Sequence, residues 1–189
     1  MAAICLNQIN IMRTNSKFIV ALALGLSVCN YNGFAQKDDG SRVIIVTQQE
    51  KDFVEEVVEE NTYEMHMLQL GMSEGTDAEL KEHARHMLAD HEKMDTDMRA
   101  YARKYDIKLT GVTPNPKKIN EKAGAEWDAD WADEIADMHR KMVRDFEKAQ
   151  GLASEPELRN MIIAAIPTLK SHLEMANSLR TRLKAAAKK

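Results

Sequence analysis

Glu64, His91, His139 and His172 are the residues of this sequence whose types and spacing could do chemistry. Each falls on the apolar stripe of a different predicted helix, His139 just beside it. A bundle that buried those stripes would therefore bury one carboxylate and three imidazoles. Such groups resist leaving water unless they pair with one another, with water or with a metal ion. Imidazole nitrogen and carboxylate oxygen are ligands for Zn, Fe, Mn and Cu, so the four residues form a candidate transition-metal site whose ion is left unnamed. Met94, Met142 and Met175 each follow one of these histidines by three residues. Histidine with thioether suits Cu(I), and the same pair can hold haem. A single histidine on an apolar face is ordinarily satisfied by one carboxylate or water. The alternative reading is therefore a non-catalytic envelope interaction or stress protein whose polar core only fixes packing and register, with function carried by the charged outer faces and the long loop over residues 106–124. His66, His83 and His86 lie off the stripes among Glu, Lys and Arg and read as a solvated face.

The elements that must position this set are four helices, with very few strand signals. Apolar residues recur at three-to-four spacing over Phe53–Leu68, Leu80–Tyr101, Trp127–Phe146 and Leu158–Leu183, the mark of one buried face per helix. Thr47-x-x-Glu50, Thr76-x-x-Glu79 and Ser154-x-x-Glu157 have capping-box spacing. Gly71, Gly75 and Gly151 stand where helix ends are expected. The spacing predicts helices over Gln48–Met72, Asp77–Tyr105, Ala125–Gln150 and Glu155–Lys184.

Short connections make helices one and two an antiparallel hairpin, and likewise three and four. Between the hairpins runs a long segment, residues 106–124, with Pro114 and Pro116. Extended, it reaches roughly 60 Å, against about 42 Å for a helix of the second one's length, so it can cross the bundle. The predicted fold class is all-α, a ferritin-like four-helix bundle of two antiparallel hairpins joined by a long crossover loop. Counting about 1.5 Å per residue from the first turn, Glu64 lies roughly 14 Å down and His91 roughly 21 Å down. If the crossover inverts the second hairpin, His139 falls near ~21 Å and His172 near ~14 Å, and all four share one level. A loose loop at one end would spread them over roughly 12 Å.

A di-iron centre of the ferritin-like kind is not expected. It needs two glutamates and two Glu-x-x-His pairs, and Leu88 and Leu169 stand three residues before His91 and His172. No phosphate loop, nucleophile elbow or serine triad motif is present, so the sequence argues more against an enzyme than for one.

Residues 1–35 read as an export signal: Arg13 and Lys17, then the apolar Phe18–Val28, then a small-x-small site at Gly33-Phe34-Ala35. The competing reading makes Cys29 a lipoprotein cysteine, against which the bulky Val28 stands immediately before it. Cleavage near Ala35 would leave a periplasmic or secreted chain without cysteine, and so without disulfides or thiolate sites. It would carry 24 basic and 30 acidic residues, a net charge of −6, which favours neither nucleic acid nor an anionic membrane as partner. The remainder divides into a linker over 36–47 and a bundle domain over 48–186. It has no integral membrane span, and its protein partner is unnamed; a homo-oligomer and a monomer are both compatible with it.

Phe53-Val54, Asn61-Thr62-Tyr63-Glu64, Ala84 through Met87 to Asp90-His91, Gly124, Trp127-Asp128, Trp131, His139, Phe146-Glu147, Pro156-Glu157-Leu158 and Ile166-Pro167-Thr168-Leu169 before His172-Leu173 carry a resemblance. They resemble a bacterial family of unknown function, often labelled "predicted outer membrane protein" and grouped with the ferritin-like superfamily. Trp127 and Trp131 depart from it, standing where Phe and Tyr are expected. The resemblance implies an exported four-helix bundle with Glu64, His91, His139 and His172 at motif positions, and it implies no activity. Helices with charged faces do not build an outer-membrane barrel, so the periplasm is the expected location.

Overall fold

A computed structural model of the protein describes residues 45–111 and 122–186. The expected signal segment, the linker up to residue 44 and the middle of the crossover lie outside the described residues. The helices are α1 (Gln48–Glu74), α2 (Ala78–Lys104), α3 (Gly124–Leu152) and α4 (Pro156–Ala186). No helix among the described residues is long and apolar enough to cross a membrane.

Each helix packs on two neighbours: α1 on α2 and α3, α4 on α3 and α2. The directions follow from contacts at the ends. Asp128, near the start of α3, accepts from the backbone N–H groups of Thr76 and Asp77 in the α1–α2 turn at 2.9 and 3.0 Å. Glu50, near the start of α1, accepts from those of Ser154 and Glu155 in the α3–α4 turn at 2.7 and 2.8 Å. Every packed pair is thus antiparallel, whereas α2 and α3 run parallel. Lys104 and Gly124 therefore lie at opposite ends of the bundle, and the second hairpin is inverted as the expected crossover would require.

The two hairpins repeat one device. Glu50 and Asp128, Thr76 and Ser154, Asp77 and Glu155, and Leu80 and Leu158 are related by one constant offset along the chain. The first helix of each hairpin clamps the other's turn with a buried carboxylate. Within each turn the acidic residue then caps the next helix: Asp77 accepts from Leu80 N–H and Glu155 from Leu158 N–H. This corrects two of the three expected capping boxes. Only Thr47–Glu50 closes as a box, because the hydroxyls of Thr76 and Ser154 donate across the bundle to Asp128 and Glu50 instead.

Gly75 ends α1 with φ −53°, outside the left-handed conformation of a glycine cap, and Gly151 is the last residue but one of α3; of the three glycines expected at helix ends only Gly71 is corrected. Gly71 is buried in α1, where a Cβ would stand 2.6 Å from Cζ2 of Trp131. The missing side chain lets that indole lie on α1 and donate its N–H to the carbonyl of Met67 at 2.7 Å.

Apolar residues form two layers. One is built around Met67, Leu80, Met87, Trp131, Ile135 and Leu179 toward the α1–α2 turn. The other is built around Val54, Met98, Phe146, Leu158, Ile162 and Leu169 toward the α3–α4 turn. Asn61, Glu64, His91, His139 and His172, all buried, sit between them.

Candidate metal centre

Glu64, His91, His139 and His172 come from four different helices and are 0–1 % exposed. His139, expected beside the stripe of α3, is fully buried because that helix also turns Ala132, Ala136 and Val143 inward. The inverted hairpin brings the four residues to one level, as the heights along the helices anticipated. Nε2 of His91 lies 3.4 Å from Nε2 of His139 and 3.7 Å from Oε1 of Glu64. One ring nitrogen from each of His91, His139 and His172 falls within 4.8 Å of the others. The imidazole rings stand 5.2–5.4 Å apart.

The other nitrogen of every ring is held from outside the cluster. Asn61 donates its amide N–H to the carbonyl of His91 at 3.0 Å, which turns its Oδ1 toward Nδ1 of His91 at 2.6 Å. An amide oxygen only accepts, so Nδ1 carries the proton and Nε2 keeps its lone pair. The carbonyl of Ile135 fixes His139 in the same tautomer, 3.0 Å from Nδ1. Asp90 takes the Nε2 proton of His172 at 3.0 Å, leaving Nδ1 buried without a partner. In their neutral forms the three rings thereby keep one lone pair each, set by partners that metal-bound histidines commonly have, a carboxylate or a carbonyl on the far nitrogen.

Glu64 stands beside the set and has no aligned hydrogen bond of its own. Its Oε1 lies 2.9 Å from Nδ1 of His139, but that N–H points at Ile135, and neither carboxylate oxygen accepts an aligned hydrogen bond. Burial would raise its pKa, and the surrounding imidazoles of His91 and His139 overcome this and hold it low. Burial pushes His91 down, and burial together with the two neighbouring rings takes His172 to about 4. His139 is the exception: burial opposes protonation, but the adjoining Glu64 raises it. A carboxylate kept ionised beside two imidazoles kept neutral is a donor set for a cation.

The residues do not fit a di-iron centre. The positions that would carry bridging glutamates are Leu88 and Leu169, and Leu169 belongs to the apolar layer. Of the methionines, Met142 also packs in that layer and Met175 packs against the other. Met94 alone of the three reaches the groove between α2 and α4, a cavity of about 550 Å³ that it lines together with Asp90, His91 and His172. Glu56, Glu60 and Asp145 also converge, but the Lys141 ammonium sits among them and supplies the cation.

Asn61, Asp90 and His86 were not among the expected site residues. Asn61 shares the buried stripe of Glu64 and could have been found by its periodicity. Asp90 and His86 lie on the outer side of α2, and nothing in their spacing marks them as site residues, because only the placement of α4 brings His172 to them.

A search of curated proteins finds no match. Among solved structures, a two-domain protein from Anabaena variabilis with DJ-1/ThiJ/PfpI-like and ferritin-like domains superposes with a TM-score of 0.57 at 12 % identity, covering 74 % of this chain. The match spans 39 % of that protein's length, so the likeness is one of fold, a ferritin-like bundle. Residues 43–179 match the family model described as "Domain of unknown function (DUF4142)", and with most of its length inside that match the chain belongs to the DUF4142 family.

Proposed function

We propose that the bundle is a metal-holding protein, exported from the cytoplasm, which retains one divalent transition-metal ion between Nε2 of His91, Nε2 of His139, Nδ1 of His172 and the Glu64 carboxylate. The observation that carries this reading is that one nitrogen from each of His91, His139 and His172 falls within 4.8 Å of the others in the buried interior, the far nitrogens of all three rings being committed, with the ionised Glu64 carboxylate beside them, 3.7 Å from Nε2 of His91. Ligands about 2.0–2.2 Å from a common tetrahedral ion stand roughly 3.3–3.6 Å from one another; the His91–His139 pair is already at 3.4 Å, and the remaining donors, the three histidine nitrogens within 4.8 Å of one another and Glu64 at 3.7 Å from His91, would close on an ion by side-chain movement. Catalytic zinc sites keep one position free of protein. Four protein donors between two dry layers suit retention, such as storage or buffering of an ion, better than turnover. Export rests on Arg13, Lys17, the apolar Phe18–Val28 and the small-x-small site ending at Ala35.

The test is elemental mass spectrometry on untagged protein recovered from the periplasm without chelators, beside a His91→Ala/His139→Ala variant of unchanged helicity. The expected result is one equivalent of Zn, Fe, Mn or Cu per chain that the double variant lacks, on a chain whose mass begins at Gln36. Equal metal content in the two proteins would leave the polar core a packing device. An acylated Cys29 would move the protein to a membrane surface.

A further inference from the structure

We propose that His86, Asp90 and His172 form a second metal site on the solvent side of the first, sharing His172 with it, from which an ion passes inward along the α2–α4 groove. The proposal rests on the interior site above, because His172 is the residue that belongs to both.

His86 and Asp90 lie four residues apart on α2 and so share one face of it. Oδ2 of Asp90 is 3.0 Å from Nε2 of His172 and 3.9 Å from Nε2 of His86. The donor atoms of all three residues fall within 4.8 Å of one another. These separations bracket the roughly 3.3–3.6 Å between ligands of a tetrahedral ion, so small side-chain movements suffice to close the site.

Exposure separates the two sites. The side chains of His86 and Asp90 are 61 % and 42 % exposed, whereas that of His172 is 2 % exposed. An ion on the outer triad keeps water in its remaining positions and exchanges readily. Asp90 of the outer set, His91 of the inner set and the shared His172 all line the groove between α2 and α4, which gives an ion a route from one set to the other. His172 is the gatepost between them, with Nε2 turned to Asp90 and Nδ1 free inside. With the outer site alone filled, the Nε2 proton now shared with Asp90 shifts to Nδ1, and an ion at the inner site then displaces it to solvent. With both sites filled, His172 bridges the two ions as an imidazolate.

The simpler role for Asp90 is to orient His172 from behind, as carboxylates commonly do for metal-bound imidazole. His86 distinguishes the two roles, since orientation alone has no use for it. Metal-free full-length protein is titrated with Zn(II), and bound equivalents are counted after dialysis for the wild type, His86→Ala, Asp90→Asn and His91→Ala/His139→Ala. We expect two equivalents in the wild type, the weaker at least tenfold weaker. His86→Ala should keep only the tighter one and load it at least fivefold more slowly, whereas the interior double variant should keep only the weaker one. Both substituted outer side chains are exposed, so helicity should not change. A His86→Ala protein that binds as many ions, as fast, as the wild type overturns the outer site and leaves the interior one standing. Two equivalents that survive the interior double variant overturn the interior site instead, and the outer triad then stands only if His86→Ala still removes one of them.

Discussion

Replacing Glu64 by methionine should leave the metal-free protein at least as stable as the wild type and remove most of the stabilisation that a bound ion provides. The two effects have opposite signs for one physical reason. In the metal-free state Glu64 is a fully buried carboxylate balanced by His139, whose pKa it raises. Removing one partner of a buried pair is costly when the other stays charged, but without Glu64 burial keeps His139 neutral, so no uncompensated charge is left and the carboxylate's own desolvation cost is relieved. The second hairpin provides the precedent, because the position equivalent to Glu64 at the constant offset is Met142, which packs in the core. In the loaded state the carboxylate is a ligand. An ion at a thousand times its Kd stabilises by about 4 kcal/mol. Loss of one of four donors, at a hundredfold in affinity, removes about 2.7 kcal/mol of that. Urea unfolding with and without Zn(II) reads both numbers. A variant destabilised by several kcal/mol without metal, and still stabilised as much as wild type with it, would make Glu64 a packing group.

Glu50→Gln should cost about 3 kcal/mol at neutral pH, and nearly all of that difference should vanish as the pH approaches 2. Glu50 is 4 % exposed. Its Oε1 accepts from Ser154 N–H, Glu155 N–H and the Ser154 hydroxyl, and its Oε2 from the N–H and hydroxyl of Thr47. One carboxylate thus joins the start of α1 to the turn that opens α4. Burial raises its pKa, and the hydrogen bonds from Glu155, Thr47 and Ser154 outweigh this and take it from 4.5 to about 2. Each tenfold of that difference is worth about 1.4 kcal/mol. The folded value lies below the unfolded one, so the contribution is fully present above about pH 4.5 and is lost as the pH falls through about 2. Asp77, held near 2 by Arg182, titrates in both proteins and cancels from the difference. Unfolding midpoints of wild type and Glu50→Gln between pH 7 and pH 2.5 should converge. A gap independent of pH would assign the loss to packing rather than to the ionised clamp.

Much of the fold is legible in the sequence because it rests on interactions only three or four residues long. The apolar period of each helix, the Thr47–Glu50 box and the short hairpin connections are of this kind, and all three stand in the structure. Local signals fail where a side chain has a better partner far along the chain. Thr76 and Ser154 have capping-box spacing, yet their hydroxyls reach Asp128 and Glu50. Gly71 resembles a helix stop and is instead the seat of Trp131.

For the candidate site the division is similar. Glu64, His91, His139 and His172 were recognisable as a converging set from stripe and height alone, since rise per residue is constant and the crossover settles direction. Only the tertiary structure decided which nitrogen of each ring faces the interior, because Asn61, Ile135 and Asp90 hold the other and two of these lie on a different helix. The rotation of each helix about its axis sets those contacts, and it follows from the packing of all four helices together. The same rotation places His86 and Asp90 of α2 beside His172 of α4, a neighbourhood that no spacing along one chain segment encodes.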